Sequence, residues 1–224
     1  MSTLTRNIYG FVLAGLLLLT WSSPASAQAK ELETRGSIWV AATAQKKISK
    51  EVKVFVLPQI RTKGWEPQRY LLEVGLKYSP WKFLSLRTAY RAGLEKVFAD
   101  PIFARRIRFD AVASGTLLRF RPSLRVRYTD TYSPDLPSVH RIRYKGVLAY
   151  RVKKFPLTPD VSLEAFQSLK TAEFFKMRYG TGASYRFYKK KKVRQFVRIA
   201  YHLEYRLDKY RNTHVARLAY KVTF

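Results

Sequence analysis

The chain has 224 residues, 47% of them hydrophobic and 15% aromatic, no cysteine, and a formal charge of +28. The missing thiols exclude disulfides, thiolate metal sites and cysteine nucleophiles. A basic excess of this size usually points to nucleic acid or an anionic membrane, and the first residues decide between the two.

Residues 1–27 read as a secretory signal peptide. Arg6 supplies the positive start, Ile8 to Thr20 the apolar core, and Ala25-Ser26-Ala27 the small-residue cleavage site. Export argues against nucleic acid as a partner and leaves residues 28–224 as one domain. No other stretch reaches the roughly 18 apolar residues that a spanning helix needs.

The rest of the chain alternates with period two, the signature of strands with two different faces. Ser37 to Gln45 sets Ile38, Val40, Ala42 and Ala44 on one face. Glu51 to Arg61 sets Val52, Val54, Val56, Pro58 and Ile60 against Lys53, Phe55, Leu57, Gln59 and Arg61. Arg69 to Tyr78 and Phe83 to Arg91 follow, joined by a tight turn at Ser79-Pro80-Trp81-Lys82. A long loop is expected over Ala92 to Ala104. Arg105 to Ala113, a turn at Ser114-Gly115, and Leu117 to Thr129 come next, then a second long loop over Asp130 to Ser138. His140 to Val152, Thr158 to Ser168 and Phe174 to Tyr188 continue the pattern, with Phe175 assigned to the apolar face. Val193 to Leu207 and His214 to Phe224 close it.

Segments of this length suit tilted spans of a bilayer, where about 9–11 residues cross. Tyrosines and phenylalanines gather toward segment ends on the apolar face, as in interfacial girdles. Short turns near 46–50, 79–82, 114–116, 153–156 and 189–192 alternate with longer loops. These features predict an all-β fold: a transmembrane antiparallel up-and-down β-barrel of Gram-negative type, set in the bacterial outer membrane. A soluble sandwich also alternates, but it needs neither the girdles nor an aromatic last residue inside a strand. Eleven segments can be counted, whereas single-chain bacterial barrels have even numbers. The expected range is therefore ten to twelve strands. Twelve is favoured, with a short extra strand in Lys30 to Arg35.

The second face carries the chemistry. Arg87, Arg91, Arg106, Arg108, Arg119, Arg121, Arg125, Arg127, Arg141, Arg143, Arg178, Arg194, Arg198 and Arg206 fall on it, and Arg151, Arg186, Arg217, Lys53, Lys77, Lys145, Lys176 and Lys221 join them. A charge on the lipid face costs about 2–4 kcal/mol at mid-depth, so these side chains are expected to line the lumen. The acids on that face are few: Glu73, Asp110, Asp160, Glu164 and Glu204. The surplus of cations predicts a porin-like, anion-preferring channel or binding lumen for small anions, by the logic of arginine and lysine rings in anion pores. The alternative is a closed structural barrel whose polar lumen is filled by ion pairs and which binds lipopolysaccharide or a partner.

A lipid-modifying hydrolase is a third reading. It rests on His140 and His214 at the rim near Ser133 and Ser138. His202 reads as a satisfied lumen histidine beside Glu204. No cofactor or metal motif is present, and no catalytic residue is assigned. Lys153-Lys154 and Lys189 to Lys192 read as solvated basic turns within reach of anionic lipid heads. Outer-membrane lipids and lipopolysaccharide are expected to surround the barrel.

Two resemblances complete the reading. The end Arg217-Leu218-Ala219-Tyr220-Lys221-Val222-Thr223-Phe224 is similar to the C-terminal signal read by the outer-membrane assembly machinery, with Tyr220, Val222 and Phe224 as its residues and Ala219 where that signal prefers glycine. More broadly, Trp39 to Phe224 resembles a family of small outer-membrane barrels known as a domain of unknown function, of the twenty-four-ninety type. Val54 to Arg61, Arg105 to Asp110, Arg119 to Tyr128, Arg141 to Tyr150, Thr158-Pro159 with Glu164, and Phe175 to Tyr185 carry it. The resemblance implies fold and location and supplies no activity.

Overall fold

The structure, a computed structural model, describes residues 33–97, 100–134, 136–190 and 193–224. The expected signal peptide lies outside these residues. Among them the chain forms eleven strands: β1 (Glu33–Lys47), β2 (Val52–Lys63), β3 (Glu66–Tyr78), β4 (Leu84–Val97), β5 (Asp100–Ser114), β6 (Phe120–Ser133), β7 (Leu136–Tyr150), β8 (Leu157–Ser168), β9 (Phe174–Lys190), β10 (Val193–Arg206) and β11 (Arg211–Thr223). Each strand pairs antiparallel with the next, and β1 meets β11 to close the barrel.

The even count is corrected by the way the barrel closes. In an up-and-down meander of eleven strands the first and last run in the same direction, and β1 pairs with β11 in parallel, from Glu33 opposite Arg211 to Gln45 opposite Thr223. Evenness is needed only if every neighbour is antiparallel. A parallel seam satisfies the same backbone groups, which would cost several kcal/mol each if left open to lipid. The seam is hydrogen-bonded to its end: Phe224 N–H donates to Gln45 O at 2.9 Å, and Lys47 N–H donates to Phe224 O at 3.2 Å. Residues Thr34 and Arg35, expected in a twelfth strand, instead lengthen β1. The register also keeps the two faces apart, with Trp39 beside Arg217 and Val40 beside Leu218.

Burial is inverted relative to a water-soluble protein. Val56, Leu72, Val74, Leu76, Leu86, Ile107, Val126, Leu163, Ile199 and Leu218 are exposed on the outside. Glu73, Arg108, Asp110, Arg127, Glu164, Arg178, His202 and Glu204 are buried inside. An apolar belt of this kind is stable only against an apolar solvent. Ile199, at the middle of β10 and 66% exposed, tests this directly. Ile199→Arg is expected to cost about 2–4 kcal/mol in lipid vesicles, read by urea unfolding. A position facing water would tolerate the change within about 0.5 kcal/mol.

The expected long loops are also corrected. β4 runs to Val97 and β5 starts at Asp100; β6 runs to Ser133 and β7 starts at Leu136. The segments 92–104 and 130–138 are therefore largely hairpin arms, paired Ala92 with Arg105 and Asp130 with His140. At the opposite end the strand expected from Leu117 starts later, at Phe120. Leu118 has φ 55°, Leu117 and Phe120 form an isolated bridge, and Arg119 belongs to the turn.

A register shift between Phe166 and Gln167 pairs Phe166 with Lys176 and Gln167 with Phe174. The extra residue, Phe175, lines the lumen and not the lipid face assigned to it from alternation. Gly180 also serves the lumen. A Cβ there would lie 2.4 Å from His202 Nδ1, so only glycine leaves space for the imidazole.

Candidate functional site

The lumen contains a cavity of about 360 Å³ bounded by seventeen lysines and arginines and only two carboxylates, Glu73 and Glu164. The alternation of each strand sends one cation in two inward, and the shear of the barrel brings cations of neighbouring strands to one level. Of the arginines expected at the site, Arg87, Arg91, Arg106, Arg108, Arg125, Arg127, Arg141, Arg143 and Arg178 line this cavity. Arg119, Arg121, Arg194, Arg198 and Arg206 do not. Arg119 is exposed in a turn, where it donates to the Tyr150 hydroxyl at 3.2 Å. Arg121 and Arg194 are exposed near strand ends. Arg198 is held by Asp160, with Nη2 to Oδ1 at 2.7 Å. Arg206 grips Asp208 through two bonds of 3.0 and 2.6 Å, which holds that turn carboxylate below its ordinary range.

Buried carboxylates organise the rest into a ladder of shared ion pairs. Glu73 accepts from Arg91 at 2.8 Å and lies 2.6 Å from Arg108. Asp110 is clasped by Arg127 at 2.6 and 2.9 Å, with Arg108 at 3.5 Å. Glu164 takes three guanidiniums: Arg125 at 2.8 Å, Arg143 at 2.7 Å and Arg178 at 2.8 Å. Arg178 passes on to Glu204, which also takes Lys176 at 3.1 Å. A carboxylate shared in this way offsets part of the cost of bringing charge inside.

Sequence reasoning passed over the aromatics that separate these charges. The Arg61 guanidinium lies 4.2 Å from the centre of the Trp39 ring, and that of Arg178 lies 5.0 Å from it. The Phe166 ring meets Lys176 at 4.1 Å, Arg143 at 4.4 Å and Arg178 at 4.9 Å. Each such contact contributes about 0.5–2 kcal/mol. Inward parity is the signal in the sequence for Trp39, Phe55 and Phe166. Arg61 and Arg69 line the cavity as well, as does Arg217, which the alternation placed on the inward face.

Trp39, Arg61 and Arg69 bound the main cavity and also bound a second space of about 220 Å³, lined further by Ser37, Thr62, Gln68 and Thr213. Arg69, Arg106 and Arg141 are likewise shared with a third space of about 180 Å³ beside Glu95 and Ser133.

Each rim histidine is hydrogen-bonded to a tyrosine. His140 Nδ1 lies 2.9 Å from the Tyr128 hydroxyl and 3.5 Å from Asp130. His214 Nδ1 is hydrogen-bonded to the Tyr201 hydroxyl. Ser133 is buried, bounding the third internal space, whereas His140 is exposed. His202 lies buried in the lumen as expected, but its Nδ1 has no hydrogen-bond partner among the described residues.

A closed barrel with an apolar outside and a charged inside defines the class: a transmembrane-type β-barrel with a cationic lumen. The chain belongs to the protein family of unknown function DUF2490, whose model matches residues 36–202. Among solved structures it is similar to OmpT, an outer membrane protein of Vibrio cholerae, at 11% identity and a TM-score of 0.41, over 72% of this chain. The match spans about half of that protein, 53% of its chain. No curated protein sequence matches the chain.

Proposed function

We propose that this protein is an exported barrel of the bacterial outer membrane whose lumen captures and passes small anionic solutes. The observation that carries the reading is the cavity itself: seventeen cationic side chains against two carboxylates in about 360 Å³. That volume holds roughly a dozen waters at liquid density. Lys53, Lys77, Arg87, Lys145, Arg217 and Lys221 line it without a carboxylate in ion-pair range among the described residues. An anion entering here exchanges its hydration for lysine and arginine donors, while a cation meets uncompensated like charge. No bond-breaking step is assigned. Outer-membrane lipids and lipopolysaccharide would contact the apolar belt, and Tyr220, Val222 and Phe224 would be read by the assembly machinery before β11 closes on β1.

A second reading, a closed barrel with a structural lumen that binds lipopolysaccharide or a partner, is favoured by the shared ion pairs around Glu164 and by the stacking of Arg61 on Trp39 inside the lumen. The two readings part in proteoliposomes loaded with potassium chloride. With valinomycin added to carry the balancing potassium, the anion lumen releases chloride. Retention of both ions supports the closed barrel.

A further inference from the structure

One group of cations differs from the rest. Lys53 on β2 is the direct cross-strand partner of Lys77 on β3, and Lys77 is the direct partner of Arg87 on β4. Across the seam, Lys221 on β11 stands beside Thr43 on β1 and lies in the repulsive field of Arg87 and Lys53. All four line the main cavity at its Phe224 end. Like charges set directly opposite in a ladder oppose pairing, and here three occur in a row on an inward face.

The neighbouring acids are already committed. Asp110, the cross-strand partner of Arg87, spends both oxygens on Arg127. Glu73 is taken by Arg91 and Arg108. Arg87 Nε is buried with no hydrogen-bond partner. The exposed turns at this end add Lys50, Lys82, Lys153 and Lys154 against Glu51, a field that concentrates anions at the mouth.

Building on the anion-lumen reading, we propose that Lys53, Lys77, Arg87 and Lys221 form a binding site for a water-soluble phosphate-type anion carrying two or more charges. A monovalent ion cannot balance four cations. A phosphate group presents several oxygens to three ammonium groups and a guanidinium fork at once. The lumenal position selects a soluble phosphate over a phospholipid head, because acyl chains would have to follow the head into a cationic cavity.

Inorganic pyrophosphate titrated calorimetrically into the full barrel, folded in an uncharged detergent, tests the site. Saturable one-to-one binding is expected. Lys53→Gln/Lys77→Gln is expected to bind about tenfold more weakly, the loss of charge-assisted hydrogen bonds. Lys50→Gln/Lys82→Gln, the same charge change in exposed turns, stays within about twofold. If the double variant does not fold, Lys221→Gln at the exposed mouth serves in its place and also weakens binding. Absence of saturable binding, or equal weakening by Lys50→Gln/Lys82→Gln, overturns the site. The assay needs no conductance. A barrel that passes anions yet does not bind pyrophosphate loses only the site, and one that binds without conducting loses only the passage.

Discussion

Replacing Glu164 with glutamine is expected to lower the unfolding free energy by about 3–5 kcal/mol, the largest single effect on stability that the lumen offers. Glu164 is 1% exposed and holds Arg125, Arg143 and Arg178. Those arginines come from β6, β7 and β9, so one carboxylate on β8 ties four strands together, and Arg178 extends the tie through Glu204 to β10. Glutamine keeps the shape and removes the charge. Three guanidiniums are then left facing one another in a site shielded from bulk water, where their repulsion is poorly screened. Urea titration in lipid vesicles reads the change. Glu51→Gln in an exposed turn is the control and should stay within about 0.5 kcal/mol. A cost below about 1 kcal/mol for Glu164→Gln would mean that water or bound anions, and not this carboxylate, hold the arginines.

Trp39→Ala is expected to raise unitary conductance severalfold. Trp39, Arg61 and Arg69 line both the main cavity and the 220 Å³ space at the Arg211 end, so they stand where the two meet. The Trp39 ring is 8% exposed, is fixed by its Nε1–H bond to Ser37 Oγ at 2.9 Å, and carries Arg61 against its face. Removing the ring widens the lumen between the two spaces and frees Arg61 from its stacked position. Single-channel recording in a planar bilayer measures the result. Unchanged conductance would place the narrowest point elsewhere, among Arg69, Arg106 and Arg141.

Much of this architecture is legible in the sequence because lipid enforces a strict rule. At mid-depth every second residue must be apolar, so Val193 to Arg206 and Arg69 to Tyr78 declare both strand and face. Beyond the bilayer the rule lapses. Ala92 to Ala104 and Asp130 to Ser138 carry prolines and acids and read as loops, yet hairpin pairing continues through them, as between Lys96 and Pro101. The reverse error occurs at Leu118, Arg119 and Phe120, where alternation persists into a turn set by the positive φ of Leu118. Phe175 was misassigned because one bulge shifts parity and leaves no mark in composition.

The site was legible only as a charge excess. Arg125 and Glu164 are 39 residues apart, and Arg198 and Asp160 are 38 apart. Which cation meets which acid depends on the stagger of strands around the barrel, a property of closure that no single strand contains. The parity of the barrel is of the same kind. The alternating segments could be counted as eleven, but the parallel meeting of β1 and β11 is visible only once both ends of the sheet are in place.

The reversal potential of the wild-type barrel in a planar bilayer, under a potassium chloride gradient, tests the central claim most directly. A cationic lumen open to solute predicts a potential displaced toward the chloride equilibrium value, and a displacement that shrinks when Arg217, which lines the cavity and leaves Nε unpartnered, is changed to glutamate. A potential on the potassium side, or no conductance from barrel shown to be folded and inserted, would contradict it.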